Sequence, residues 1–290
     1  YNNYEGLWLG TGIRTNKRMS TLWNIGAYGA YSLRTQKAKY GIDGLITLYQ
    51  PYSLKLGAAY SKDFEESAGV EFYNNQQNPF DPELFKSYFI SRANYTDRKE
   101  LHLQFRALKY VQAKVAGRVD HKEASYDYYY QPSDIDVAIN EFNFTEFSIG
   151  LRFAYKEKFF DNNRMLISMG TTYPILWFNY SKGIKGVLGG DYNFHRFDLR
   201  IKKSIYFKYL GESTVDLNGG VIIGDLPYSN LYRGQGSYGP ITTYAPASFG
   251  SMSANEFLSD RYVSAYLTHN FGNLLLKGKK FKPELVIVTN

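Results

Sequence analysis

The amino-acid sequence predicts an all-β fold, an antiparallel transmembrane β-barrel with about twelve strands in the chain. Three observations predict it. Apolar and polar residues alternate with a period of two in twelve segments, which places one set on each face of a strand. Most of these segments exceed the ~5–6 residues of a globular strand and reach the ~9–11 that cross a bilayer at a tilt. The connections between them are short on one side and long on the other, which is typical of outer-membrane barrels.

The first half of the chain contains six predicted strands. The second strand shows the alternation clearly, because Trp23, Ile25 and Tyr31 fall on one face and Asn24 and Tyr28 fall on the other. The six strands are predicted at residues 4–15, 20–34, 39–50, 53–64, 96–108 and 111–124.

The second half contains six more. In the first of these, Phe147 and Leu151 oppose Glu146 and Arg152. Pro174 interrupts the next strand and predicts a bulge or a change of phase there, because proline cannot donate to a sheet ladder. The six strands are predicted at residues 141–156, 164–181, 194–209, 212–225, 254–271 and 281–290.

The predicted connections fall into two sets by length. The short ones lie near residues 16–18, 50–52, 109–110, 157–163 and 210–211. The long ones lie at residues 65–95, 125–140 and 226–253. In an antiparallel meander all three long connections fall at the same end of the sheet, as the loops of an outer-membrane barrel do.

The composition narrows the class of protein. The chain has 290 residues, is 18% aromatic and contains no cysteine. No stretch approaches the ~18–20 apolar residues of a membrane-spanning helix, so a helical membrane bundle is excluded. The formal charge of +7 comes without a Lys/Arg block or a zinc pattern, so no nucleic-acid partner is expected. The alternative to a membrane barrel is a soluble lipocalin-like barrel or β-sandwich, whose strands also alternate between apolar and polar residues.

The sequence offers no catalytic constellation. It has no His-x-His, His-Glu-x-x-His or Gly-x-Ser-x-Gly pattern, and its four histidines are dispersed at positions 102, 121, 195 and 269. We therefore expect neither an enzyme nor a bound cofactor or metal. Three nearby aspartates could hold Ca²⁺ in a loop, although a solvated acidic loop tip explains them as well: Asp127, Asp134 and Asp136.

The alternation also predicts which charges face the interior of the barrel. Basic side chains on the predicted inward faces are Arg106, Arg152, Arg200 and Lys202. An interior that holds water or loops tolerates such charges, whereas lipid does not. Replacing the inward Arg152 by leucine is therefore expected to be mild, whereas an arginine at the outward Leu151 is expected to destabilise the fold.

Three segments resemble a Bacteroidota family of outer-membrane barrels of unknown function. They are residues 6–16 (GLWLGTGIRTN), 173–184 (YPILWFNYSKGI) and 256–262 (EFLSDRY). In that family the barrel follows a carboxypeptidase-regulatory-like domain, and the family is distantly similar to the BamA/TamA/two-partner-secretion barrel superfamily. The resemblance implies a 16-stranded barrel, so residues 1–290 are expected to be a single, incomplete barrel domain, with one strand missing before Tyr1 and three after Asn290.

The same resemblance implies a location and a function. It implies the outer membrane of a Gram-negative (diderm) bacterium and a role in inserting or translocating proteins there. The implied partners are outer-membrane lipid, client outer-membrane or secreted polypeptides, and periplasmic partners. A passive channel, a receptor or a surface scaffold without insertase activity is the alternative.

The resemblance finally implies a site in the long connection 226–253. It aligns with a superfamily loop that carries an Arg-Gly signature and folds into the lumen. We expect Arg233, next to Gly234, to pair with Glu256 or Asp260 and hold the loop inside. The sequence departs from the superfamily at Gln235, where an aromatic residue is usual, and a solvated arginine in an exposed turn is the alternative.

Overall fold

The twelve long strands of the chain form one antiparallel sheet in the computed structural model. The residues that the structure describes are 1–16, 18–66, 69–70, 72–73, 90, 93–124, 130, 139–161, 166–237, 249–253, 256–272 and 285–289. Neighbours in the sheet follow the chain order, so the sheet is a meander in which each strand pairs with the next long strand. The fold is therefore all-β, as the alternation predicted.

The described residues form eighteen strands in all, twelve of which belong to the large sheet. These twelve are β1 (Trp8–Arg14), β2 (Trp23–Ser32), β3 (Ala38–Tyr49), β4 (Leu54–Glu65), β5 (Asn94–Leu108), β6 (Val111–Glu123), β7 (Glu141–Ala154), β10 (Ile175–Gly183), β11 (Phe194–Phe207), β12 (Gly211–Ile223), β17 (Arg261–Asn270) and β18 (Val286–Thr289). Six short strands lie in the connections: β8 (Phe159–Asp161), β9 (Leu166–Ser168), β13 (Tyr232–Arg233), β14 (Gly236–Ser237), β15 (Phe249–Ser253) and β16 (Leu258–Ser259).

Each predicted strand corresponds to one strand of the sheet, with two differences in extent. The predicted strand 164–181 is divided, since β9 pairs with β8 and β10 begins only after Pro174. The interruption expected at this proline is therefore confirmed. The predicted strand 254–271 joins the sheet only at Arg261, because β16 pairs with β13 instead.

The two faces of the sheet differ in chemistry. One face, which we call the outer face, presents apolar side chains that none of the described residues covers: Val263 is 90% exposed and Leu101 is 58% exposed. Other exposed residues of this face are Ile13, Ile25, Ile42, Ile46, Phe147, Leu199, Leu217 and Leu267. The opposite, inner face carries most of the charged residues of the sheet. A monomeric soluble protein rarely leaves so extended an apolar surface uncovered.

The connections define two rims. The connections at residues 15–22, 50–53, 109–110, 155–174, 208–210 and 271–285 begin and end at the turn rim, and those at residues 33–37, 66–93, 124–140, 184–193 and 224–260 begin and end at the loop rim. The three predicted long connections therefore all begin and end at the loop rim. The prediction of a short connection at 157–163 was wrong, because the chain forms a β8–β9 hairpin there before β10 begins.

A buried apolar cluster lies where the inner face meets the loop rim. It joins the starts of β7 and β11 and the end of β12 to the connection that follows β12. Within it, the rings of Phe144 and Tyr192 stack with centroids 4.9 Å apart. The cluster consists of Phe142, Phe144, Tyr192, Phe194, Ile222, Leu226, Tyr228 and Tyr232.

Candidate membrane-spanning helices are absent from the part of the chain that the structure describes.

Candidate functional site

Charged side chains on the inner face are arranged in pairs across neighbouring strands. The guanidinium of Arg98 on β5 binds two carboxylates at once. It donates to Glu65 Oε1 and Oε2 at 2.5 and 2.6 Å and to Asp120 Oδ1 and Oδ2 at 2.9 Å. Two-pronged contacts of this kind fix the orientation of the side chains as well as the charge balance. Arg98 therefore ties β4, β5 and β6 together on one face.

The pairing continues along the sheet to β7. Arg118 on β6 donates to Glu146 Oε2 at 3.1 Å and lies 3.5 Å from Asp120 Oδ2. The carboxylate of Asp120 is only 3% exposed. A buried charge of this kind is stable only when its partners remain in place. The inner face is thus a mutually compensating network on these strands.

A second part of the network lies on β11 and β12. Arg200 donates to Asp216 at 2.9 and 2.5 Å, and its guanidinium lies 5.3 Å from the ring centroid of Trp177. Arg196 donates to Asp198 Oδ2 at 3.1 Å. The Trp177 indole and the Asp216 carboxylate together hold Arg200, and the Asp198 carboxylate holds Arg196.

The start of the connection after β12 crosses this inner face. The hydroxyl of Tyr228 donates to Asn94 Oδ1 on β5 at 2.5 Å, and Lys122 on β6 donates to Asn230 Oδ1 at 2.8 Å. The hydroxyl of Tyr232 donates to Asp198 Oδ1 on β11 at 2.6 Å. The segment 226–233, which we call the inner loop segment, therefore contacts strands at separate positions of the sheet.

The local backbone structure holds the inner loop segment in this position. Tyr228–Asn230 form a single 3-10 turn after Pro227, and all three residues of the turn are buried. Downstream, β13 pairs with β16, and the Gly234 N–H donates to the Phe257 carbonyl at 2.9 Å. These backbone bonds fix the return of the chain toward β17.

Tyr232 joins the inner loop segment to β11 and β12. The Arg196 guanidinium lies 4.5 Å from its ring centroid, which is within cation–π range. A Cβ atom at Gly220 would lie only 2.5 Å from the Tyr232 hydroxyl, so this strand position must be glycine for the tyrosine to fit. Burial, together with the carboxylate of Asp198, raises the pKa of Tyr232 above its ordinary value, so the hydroxyl stays protonated and donates.

Arg233 makes an ion pair, but its partner is not a predicted one. Its guanidinium contacts the Glu66 carboxylate, and the two side chains are 16% and 13% exposed. Glu256 instead accepts from the Ser253 N–H at 2.7 Å, and Asp260 pairs with the exposed Arg261 at 3.2 Å. The predicted pairs were wrong because β17 begins only at Arg261. The strand alternation that would have turned Glu256 and Asp260 inward therefore does not extend to them.

The four basic residues predicted to face inward lie on the charged face. Arg152 is 5% exposed and donates to both Glu157 oxygens, at 2.8 and 2.6 Å. Arg106 lies 4.8 Å from the Phe159 ring centroid. Lys202 follows Arg200 by two residues on the same side of β11. Whether water reaches this face stays a prediction.

We did not predict from the sequence that the connection between β7 and β10 contributes to the charged network of the inner face. Glu157 turns inward to Arg152, and Ser168 on β9 donates to Glu157 Oε1 at 2.5 Å. The pKa of Glu157 is lowered because hydrogen bonds from Arg152 and Ser168 outweigh the effect of burial. Phe159 and Phe160 are adjacent apolar residues inside a predicted short connection, so the sequence carried no alternating signal for the β8–β9 hairpin.

The part of the chain that the structure describes contains no group of three or more His, Cys, Asp or Glu residues placed to hold a metal ion. The loop aspartates considered for Ca²⁺ lie outside the described residues: Asp127, Asp134 and Asp136.

Comparison with solved structures identifies a similar fold. The chain is similar to the crystal structure of BamA from Haemophilus ducreyi lacking POTRA domains 1–3, with a TM-score of 0.58 and 10% sequence identity. The match covers 97% of this chain and 53% of that one, so the chain spans about half the length of that BamA chain. At this identity the likeness shows the fold alone.

Sequence comparison identifies the family. A search of curated protein sequences returns no match to the chain. The profile of a family of unknown function, the DUF5686 C-terminal domain, matches residues 1–282. The chain belongs to this DUF5686 C-terminal domain family.

Proposed function

We propose that the chain is the membrane-embedded barrel of an outer-membrane protein that inserts or translocates other polypeptides. Its immediate surroundings are outer-membrane lipid, and its partners are client outer-membrane or secreted polypeptides together with periplasmic proteins. We also propose, on the sequence resemblance, a Bacteroidota source and a preceding carboxypeptidase-regulatory-like domain. The role that we propose is non-catalytic. The charged side chains of the inner face pair with one another, and we assign no nucleophile or general base among them.

One observation carries the proposal. A BamA-like sheet exposes apolar side chains along its outer face and covers its charged inner face with its own inner loop segment. The ten strands between β1 and β18 in the sheet have a neighbour on each side, so their backbone hydrogen bonds are made between strands, as crossing lipid requires. The exposed apolar face supports a lipid environment, where its burial is favourable.

The inner loop segment favours polypeptide handling over passive conduction. The segment is held by hydrogen bonds to β5, β6 and β11, and a further ion pair joins Arg233 to Glu66. A passive pore needs an open path, whereas this segment lies across the inner face. Its polar contacts can be exchanged for contacts with another extended chain, since strand edges and loops recognise peptides through the same groups.

The test is depletion of the full-length protein followed by quantitative proteomics of the outer membrane. The proposal predicts that a subset of β-barrel or secreted proteins falls in abundance while lipoproteins of the same membrane stay constant. The gene should be restored as wild type, as Arg233→Ala and as Glu256→Ala. Wild type and Glu256→Ala are expected to restore the subset, because among the described residues the Glu256 carboxylate contacts only the nearby Ser253 N–H. Arg233→Ala is not expected to restore it, because it loses the ion pair with Glu66.

Two results would contradict the proposal. An unchanged outer-membrane proteome with altered uptake of small solutes would indicate the alternative, a passive channel. An unchanged proteome with unchanged uptake would indicate a receptor or a scaffold.

A further inference from the structure

A cluster of tyrosines and lysines lies on the outer side of the turn rim, away from the inner face. The rings of Tyr110 and Tyr155 meet edge to face at 5.1 Å, and those of Tyr155 and Tyr173 do so at 4.9 Å. Lys109 lies 5.4 Å from the Tyr110 centroid. Lys156 lies 5.4 Å from the Tyr155 centroid and 5.7 Å from that of Tyr173. We call these five residues the tyrosine–lysine cluster.

The backbone turns so that the cluster faces outward. Lys156 has a φ of 51°, a left-handed conformation that is uncommon and unfavourable for a residue with a side chain. This turn separates Tyr155, which is exposed, from Glu157, which points inward to Arg152. The only carboxylate next to the cluster in sequence is therefore directed away from it.

The ammonium groups of the cluster lack counter-charges. Among the described residues, no carboxylate forms an ion pair with Lys109 or Lys156, and both side chains are exposed. The comparable lysine at the loop rim differs: Lys37 lies 4.6 Å from the Tyr95 centroid but donates to both Glu123 oxygens, at 2.9 and 2.8 Å. The turn rim thus offers uncompensated positive charge beside aromatic rings.

We infer that the tyrosine–lysine cluster binds the headgroup of an anionic glycerophospholipid. Tyrosine rings prefer the boundary between the acyl region and the headgroups, where one end is apolar and the other is wet. A lysine at that depth places its ammonium group at the level of the lipid phosphate. Phe153 and Leu108, 37% and 70% exposed, supply the apolar surface that acyl chains would cover. The inference rests on the proposed membrane setting.

The test measures lipid binding to the purified full-length protein by native mass spectrometry from a neutral detergent. The probes are phosphatidylglycerol, phosphatidylcholine and inorganic phosphate. The test variant is Lys109→Gln with Lys156→Gln. The matched control is Lys62→Gln with Lys99→Gln, which removes two lysines from the same outer side, in the halves of β4 and β5 that are nearer the loop rim. All proteins are first checked for folding by the heat-dependent shift in gel mobility.

Phosphatidylglycerol should bind wild type and the control more tightly than phosphatidylcholine does. Each lysine near an anionic surface contributes about fivefold, so the test variant should lose at least about fivefold in affinity for phosphatidylglycerol. Equal phosphatidylglycerol binding by the test variant and the control would overturn the inference. Displacement of the lipid by inorganic phosphate at equal concentration would overturn it too, because the site would then select a free anion. The assay contains no client polypeptide, so its failure is distinguishable from failure of the proposed function.

Discussion

Arg233 and Glu66 form an ion pair between the connections that follow β12 and β4. Both side chains are largely shielded, so removing one partner takes an ion pair away from a charge that water reaches poorly. We expect Arg233→Ala to lower the free energy of unfolding by about 3 kcal/mol, the range for breaking a buried pair. Urea unfolding in lipid vesicles, followed by tryptophan fluorescence, measures this difference.

The acids first expected to hold Arg233 provide the controls. Within the described part of the chain Asp260 pairs only with the exposed Arg261, so Asp260→Ala should change stability by less than about 1 kcal/mol. Glu66→Ala combined with Arg233→Ala should cost less than the sum of the single changes, because both remove the same pair. Additive losses would mean that the two side chains do not interact.

Leu151 tests the outer face at the scale of one side chain. It lies on the apolar side of β7, opposite in direction to its buried neighbour Arg152. If the outer face meets lipid, Leu151→Arg should destabilise the protein by roughly 2–4 kcal/mol, while Leu151→Phe should be nearly neutral. Equal stability of both variants in vesicles would contradict the assignment of this face.

Which face a residue occupies could be predicted from the sequence, but its partner could not. Alternation is local, so the shared face of Arg152 and Arg200 follows from the strands in which they lie. Glu157 and Glu66 lie in connections, where no period applies and the contact depends on tertiary packing. The local signal failed at Asp260 for the same reason, since that residue precedes the strand.

At the scale of elements, the β8–β9 hairpin revises one expectation. Arg152→Leu was expected to be mild, but Arg152 and Glu157 are 6% and 4% exposed at the side chain and form a bidentate pair. The substitution would leave the Glu157 carboxylate buried without its partner, at a cost of several kcal/mol.

The twelve strands of the sheet could be predicted because long alternating segments carry a strong signal. The hairpin could not, because β8 is too short to show alternation and β9 lies at the start of the predicted strand 164–181.

The ion pair between Arg152 and Glu157 also predicts that the stability of the protein depends on pH. The folded-state pKa of Glu157 lies below its ordinary value, so its ionised form stabilises the fold. This contribution is complete above the ordinary glutamate pKa of about 4.3 and is lost as the pH falls through the lowered folded-state value. Unfolding curves recorded from pH 7 to pH 3 should show wild type losing stability relative to Glu157→Gln at the acid end. A constant difference between the two proteins over this range would contradict the prediction.

At the scale of the whole molecule, the sheet and the inner loop segment form one arrangement. The apolar cluster that contains Phe142 and Phe194 packs directly against Tyr228 and Tyr232, so the loop completes a core that the strands alone would leave open. The length of the connection could be predicted from the sequence, and its placement inside was implied only by resemblance. The specific anchors depend on strands far apart in the chain, which no local pattern reveals.

From this arrangement we expect the proposed barrel to conduct poorly until the inner loop segment is released. Full-length wild-type protein in planar lipid bilayers should show a low open probability. Tyr232→Phe removes the hydrogen bond to Asp198, and Arg233→Ala removes the ion pair to Glu66. A shift of only ~1.4 kcal/mol between the held and released positions changes their ratio about tenfold, so the double variant should open at least about tenfold more often. Asp260→Ala, outside these contacts, should behave as wild type. A wild-type protein that is already open, or a double variant that stays closed, would show that the inner loop segment does not control the path through the sheet.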